Sequence, residues 1–170
     1  MQDQITSHRS PLTIRPATRR DLAAIARMIA ALAAHHGDAA AVDAGLLRRD
    51  GLGPGRWIDL LVADTPSGAV GYAMTHRWYR GAAGQRGLEL QHLYVEAEHR
   101  GAGVGRRLIE AVVARAGAQG CSFVSIGTTP SNTAAQAIYR HLGFDAAPPP
   151  GPRFRMTLPA RPTSPCPTSP

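Results

Sequence analysis

Residues 89 to 108 read Glu-Leu-Gln-His-Leu-Tyr-Val-Glu-Ala-Glu-His-Arg-Gly-Ala-Gly-Val-Gly-Arg-Arg-Leu. An apolar-rich strand runs into an acidic turn, a glycine loop and the start of a helix. Glycines at 101, 103 and 105 let backbone approach a ligand with no Cβ in the way. The helix that follows offers unpaired N–H groups and a partial charge of roughly +0.5, which favours phosphate. Arg100, Arg106 and Arg107 flank the loop with cationic forks suited to a pyrophosphate. The other reading of the same letters is an ordinary glycine-rich strand-to-helix turn.

Two commoner phosphate loops are excluded by spelling. A Walker A loop needs Gly-Lys-Ser/Thr, and all 19 basic residues here are arginine. The dinucleotide fingerprint needs a third Gly or Ala three positions after the second, where this chain has Arg106 or Leu108.

Arg100-x-x-Gly103-x-Gly105 follows the strand ending Leu93-Tyr94-Val95. About thirty residues on comes Asn132-x-x-Ala135-x-x-x-Tyr139-x-x-x-Gly143-Phe144. The pair, in this order, resembles the acetyl-CoA-binding core of the GNAT superfamily of N-acetyltransferases, over roughly residues 12 to 158. The resemblance implies an α/β (α+β) fold: a central mixed, mostly antiparallel sheet of six to seven strands flanked by about four helices, with a splayed parallel pair that holds acetyl-CoA. It implies an acetyl-CoA-dependent N-acetyltransferase.

Composition agrees with one domain. At 170 residues a single core suffices. A formal charge of +7 carried by scattered arginines reads as a solvated surface plus a site for an anionic cofactor, with no nucleic-acid partner. The first eleven residues hold no apolar h-region and nowhere do ~20 apolar residues run together, so a cytoplasmic protein with no membrane partner is expected. Cys121 and Cys166 make an unlikely disulfide, and the seven histidines lack metal-binding spacing, so no metal is expected.

Residues 1 to 11 read as a flexible N-terminus, 12 to 158 as the acetyltransferase domain, and 159 to 170 as a disordered Pro/Thr/Ser tail. Within the domain, 12 to 15 reads as a short strand, and Thr18 or Asp21 caps a helix from about Arg19 to His35. Residues 39 to 49 read as a second helix, and Trp57–Ala63 and Ala69–Trp78 as antiparallel strands. Residues 81 to 87 read as mobile. Leu88–Val95 is a strand, and Gly103–Gly117 a helix with Leu108, Val112 and Val113 buried. Cys121–Ile126 is a strand parallel to the previous one, Asn132–Leu142 the last helix, Pro148-Pro149-Pro150 a stiff connector, and Arg153–Leu158 a final strand.

Acylating an amine requires that it be neutral, yet an alkylamine is only about 0.1% neutral at pH 7, so a base or a water chain to one is needed. Glu89 lies where the resemblance places that base; otherwise it is a surface carboxylate. His92 is a second candidate and Gln91 could only orient. Tyr139 lies where the resemblance places the donor of a proton to the departing thiolate; an aromatic at that spacing is also common in cores. By the same likeness the Leu93 N–H polarises the carbonyl. Backbone of Leu93, Tyr94 and Val95 pairs with pantetheine, and Arg100, Gly101, Ala102, Gly103, Val104, Gly105, Arg106 and Asn132 complete the cofactor site.

Leu46-Leu47-Arg48-Arg49-Asp50-Gly51-Leu52-Gly53 and His35-His36-Gly37 are similar to the diamine and thialysine acetyltransferase branch, where homodimers are common. Where polyamine-acetylating members carry acidic residues, this chain has His36 and Gln91 as substrate-binding candidates. A polycation gains less Coulomb attraction there. The expected acceptor is a primary amine of a small molecule, a diamine, a thialysine-like amino acid or similar, and a compound with one positive charge or with its own carboxylate fits the less acidic pocket better. A protein or peptide acceptor, or an acyl-CoA-binding module without chemistry, are the alternatives.

Overall fold

The computed structural model describes residues 11–148 and 151–158. Of these, residues up to Asn132 make one compact unit and those from Thr133 a second. The first holds a five-stranded sheet in the order β1-β2-β3-β4-β5. The strands are β1 (Thr13–Pro16), β2 (Asp59–Thr65), β3 (Gly68–Arg80), β4 (Gln85–Val95) and β5 (Phe123–Ile126). Neighbours run antiparallel except β4 and β5, which are parallel, as the crossover through a helix requires.

Helix α1 (Leu22–His35) is entered through a 3-10 turn at Arg19–Asp21. Asp21 carries that entry: its Oδ2 accepts from the Thr18 N–H at 2.7 Å and hydroxyl at 2.9 Å, and Arg15 grips both carboxylate oxygens at 2.7 and 2.8 Å. The Arg15 hydrogen bonds hold the Asp21 carboxyl down at a pKa of about 2. Leu22, Ile25, Met28 and Ile29 face a core completed by Leu47, Leu60, Val62, Tyr72 and Met74. Gly37, with φ +77°, ends the helix in the left-handed conformation that favours glycine.

Helix α2 is Ala44–Gly51, not residues 39 to 49. Asp43 caps it by accepting from the Leu46 N–H at 2.8 Å, and the cap prevails over the helix propensity of the preceding alanines. Helix α3 (Val104–Ala118) packs on β4, β3 and β2. Its buried stripe is Val104, Leu108, Ile109, Val112 and Ala116. Val113, expected in that stripe, is 46% exposed because it lies about 100° round the helix from Val112. Arg115 and Arg56 both reach Asp59, at 3.0 and 2.9 Å, tying α3 to β2.

Among the described residues the sheet has five strands, not six to seven. Arg153–Leu158 alternates in sequence yet forms no strand, with Phe154, Met156 and Leu158 at 75–95% exposure. Alternation makes a strand only where a neighbouring edge supplies the hydrogen bonds. The stretch 81 to 87 is also revised: Gly81–Ala83 is a 3-10 turn and β4 begins at Gln85. The second unit contains α4 (Thr133–His141), followed by Gly143 with φ +88°. No described helix is long and apolar enough to cross a membrane. The expected N-terminal arm through Ser10, the tail from 159 with Cys166, and Pro149-Pro150 of the connector lie outside the described residues.

Candidate active site

Strands β4 and β5 part company halfway along β4. Their pairs run from Gly87↔Phe123 to Leu90↔Ile126, while β4 continues to Val95. At the parting point the β3–β4 register slips: Met74 faces His92 but Thr75 faces Leu90, so Gln91 is an extra residue in β4. A bulge bends and twists its strand, and here it turns the end of β4 away from β5. The side of β4 that β5 leaves uncovered can be assigned. Glu96 N–H donates to Val70 O on the β3 side at 2.9 Å. By alternation, the N–H and C=O groups of Leu93 and Val95 project away from β3. Arg100 Nε takes the Val95 carbonyl at 2.8 Å, which fixes the loop to the strand end.

The loop after β4 turns through a 3-10 segment, Ala97–His99. Gly101 (φ +72°) and Gly103 (φ +79°) are both left-handed, and a Cβ on either would meet no protein atom within 4 Å. Helix α3 makes its first bond from Arg107 N–H to Gly103 O at 3.1 Å, so the N–H groups of Val104, Gly105 and Arg106 point out of its end. Gly105 sits inside that first turn, where its Cβ would rest 3.8 Å from Val95 Cγ2. Each of the three arginines also has a contact within the protein. Arg106 pairs with Glu110 at 2.7 Å, Arg107 donates to Leu12 O at 2.8 Å, and Arg100 lies 5.5 Å over the Tyr94 ring. Arg107, expected beside the loop, thus serves the fold. Asn132 closes a turn, its N–H on Thr129 O at 3.0 Å.

Beside the open end of β4 is a cavity of about 360 Å³ lined by Ala31, Leu32, His35, Leu93, Tyr94, Val95 and Arg100. His35, the chain neighbour of the substrate-binding candidate His36, lines it. On the α1 side of the sheet, Tyr72 and His92 meet through the hydroxyl and Nδ1 at 3.1 Å. Burial, and secondarily the charge of His36, pushes the His92 pKa down, which keeps the ring neutral at pH 7. Glu89 shares this face, paired with His76 and Ser125. Its Oε2 is buried with no hydrogen-bond partner among the described residues. Gln91 is exposed on the bulge.

In the second unit Tyr139 is half-buried on α4, its ring 6.2 Å from that of Phe144. Burial raises its pKa, so the phenol keeps its proton at neutral pH. Sequence reasoning missed the bulge at Gln91 and the Tyr72–His92 contact. Tyr72 reads as a core aromatic, and a bulge leaves no fixed residue signature. Among the described residues no cluster of three or more His, Cys, Asp or Glu could hold a metal ion.

A strand that leaves its parallel neighbour, opens its backbone to a cavity and ends in a glycine loop at a helix start fits the acetyltransferase class. The chain belongs to the acetyltransferase (GNAT) family, whose model matches residues 27–144. It is 33% identical over 140 residues to the thialysine N-epsilon-acetyltransferase of Sus scrofa, covering 76% of this chain and 82% of that one. It is 37% identical over 87 residues to the L-methionine sulfoximine/L-methionine sulfone acetyltransferase of Pseudomonas aeruginosa, half of each chain. The solved ribosomal-protein-alanine N-acetyltransferase of Brucella melitensis biovar Abortus 2308 shares the fold, with TM-score 0.69 and 22% identity over 85% of this chain and 99% of that one.

Proposed function

We propose that this acetyltransferase moves an acetyl group from acetyl-CoA to the primary amine of a small molecule by direct transfer. The observation that carries the proposal is the unpaired edge of β4 beyond Leu90, facing a cavity and leading to left-handed Gly101 and Gly103. Those features fit the cofactor: an extended pantetheine can add to a strand edge, and phosphates suit glycine backbone at a helix start. Bound there, acetyl-CoA supplies an acyl group activated as a thioester.

Each remaining requirement falls to a residue of the chain. The Leu93 N–H donates to the acetyl carbonyl oxygen, where negative charge develops. Leu93, Tyr94 and Val95 hold the pantetheine. Arg100, Gly101, Ala102, Gly103, Val104, Gly105 and Arg106 hold the pyrophosphate, with Asn132 at the rim. Glu89 removes the ammonium proton through water and Tyr139 holds the proton that the departing sulfur requires. His36 and Gln91 border the acceptor. Relatives named for thialysine and for methionine sulfoximine support an amino-acid-sized acceptor. A homodimer in a cytoplasmic setting is part of this reading by likeness to that branch; sedimentation equilibrium checks the former.

Gly103→Val tests the cofactor site. A Cβ at 103 meets no protein atom, so its branches occupy the space assigned to the cofactor, at a φ of +79° that valine resists. Calorimetric titration is expected to show acetyl-CoA binding to the wild type and at least tenfold weaker binding to the variant. Equal affinities would contradict the assignment.

A further inference from the structure

The face of the sheet that carries Glu89 continues past α1 toward the β3–β4 turn. Alternation along β3 puts His76, Trp78 and Arg80 on it. Pairing sets Glu89 and Ser125 beside His76, and Gly87 and Phe123 beside Trp78. The outer edge of the Phe123 ring lies directly over Gly87, in the space a Cβ would need. Trp78 meets that ring edge-on, centroids 6.2 Å apart, and is still 38% exposed. Arg80 reaches back over it, its guanidinium carbon 5.8 Å from the ring centroid. One N–H of Arg80 is bonded to Gln85 Oε1 at 3.2 Å, and no carboxylate among the described residues pairs with it. The unpartnered Oε2 of Glu89 lies one row from Trp78 and Phe123, and two rows from the backbone of Arg80.

A cation without an anion and a buried carboxylate oxygen without a partner thus share one face, with two aromatic rings between them. A buried carboxylate oxygen is costly unless a ligand or a water completes it. We infer that this strip binds an amino acid lengthwise: its side-chain ammonium at Glu89, its methylenes along Trp78 and Phe123, its α-carboxylate on Arg80. This rests on the acetyl-transfer reading and adds which residues hold the acceptor's chain and carboxylate. Adjacent rows on one face are about 6.6 Å apart, and the Arg80 guanidinium, folded back over Phe123, stands over the row next to that of Glu89. Six bonds of about 1.5 Å in a zigzag, from carboxyl carbon to the ω-nitrogen of a lysine-length amino acid, reach roughly 7.5 Å. An α-amine, two bonds from its own carboxyl carbon, cannot span the two groups. A diamine would set a second ammonium against Arg80, a repulsion that selects against polyamines.

The test is calorimetric titration with thialysine and with its α-carboxamide, which keep the same chain and differ in the carboxylate. The acid is expected to bind at least tenfold more tightly, the scale of a charge-assisted hydrogen-bonded pair. Arg80→Gln is expected to collapse that ratio to near one. Arg77→Gln, a charge removed from the opposite face of the same strand, is expected to preserve it. A ratio near one in the wild type, a ratio that survives Arg80→Gln, an equal collapse in Arg77→Gln, or binding of neither compound would overturn the inference. Thiol release from acetyl-CoA with each compound reports separately on the reaction. Turnover with an acid-to-amide ratio of one would sink the strip and leave acetyl transfer standing, whereas selective binding without turnover would do the reverse.

Discussion

Gly87→Ala puts a single methyl under the Phe123 ring. The new Cβ would sit 2.6 Å from Cε1 and closer still to Cε2 and Cζ, about 1 Å inside an ordinary carbon–carbon contact. The ring has to lift, and lifting it breaks the edge-on contact with Trp78. Overpacking of this kind costs about 1–3 kcal/mol. For a chain of this size that lowers Tm by roughly 2–10 °C. Backbone entropy acts the other way, since alanine in a strand is favoured over glycine by roughly 0.5–1 kcal/mol when nothing opposes it. The sign of the effect therefore depends on the ring. In a Phe123→Ala background, Gly87→Ala is expected to be neutral or slightly stabilising. Urea unfolding of the four proteins in this cycle, with m held constant, yields the coupling directly. A coupling of about 1–3 kcal/mol is expected. Additivity of the two substitutions, or an unchanged midpoint for Gly87→Ala alone, would refute the placement of Phe123 over the sheet.

Three further expectations follow from other parts of the molecule. Tyr139→Phe is expected to slow turnover by about ten- to a thousandfold with acetyl-CoA affinity retained, the usual scale of a lost proton donor; an unaltered kcat would remove Tyr139 from the chemistry. Leu93→Pro deletes an N–H that faces away from β3, so stopped-flow kinetics are expected to show turnover reduced by about a hundredfold or more while circular dichroism shows the sheet intact. Full activity in that variant would mean the N–H polarises nothing. Asp21, held near a pKa of about 2 against an ordinary value of 3.8, contributes about 2 kcal/mol above pH 4 that fades as pH falls through 2. Asp21→Asn is expected to be less stable at pH 7 and to lack that acid-side slope in pH-dependent urea unfolding, whereas an unchanged slope would separate Asp21 from acid sensitivity.

The strand, loop and helix from 85 to 118 were legible because each level of the sequence points to the same structure. Leucines at 88 and 90 mark the buried side of β4, Gly101 and Gly103 mark left-handed turns, and Leu108, Val112 and Ala116 mark one helical face. The parallel pairing of β5 followed from the strand-helix-strand order together with the family resemblance. Other features depend on partners that no local pattern names. Phe154, Met156 and Leu158 alternate like a strand yet form none. Arg107 reads as a phosphate ligand until its guanidinium is seen on Leu12 O, ninety-five residues away. Gly87 reads as a weak point in a strand; its purpose appears only once Phe123 lies across it. The bulge at Gln91, which opens the site, comes from a register slip against β3 and has no signature in β4 itself.

The central claim is acetyl transfer from acetyl-CoA to a small primary amine, and the most direct measurement is thiol release from acetyl-CoA. The panel is thialysine and other amino acids with side-chain amines, polyamines, aminoglycosides and basic peptides. The account predicts release with the amino-acid acceptors above that with spermidine or any peptide. Release with peptides alone, or from no acceptor on the panel, would contradict it.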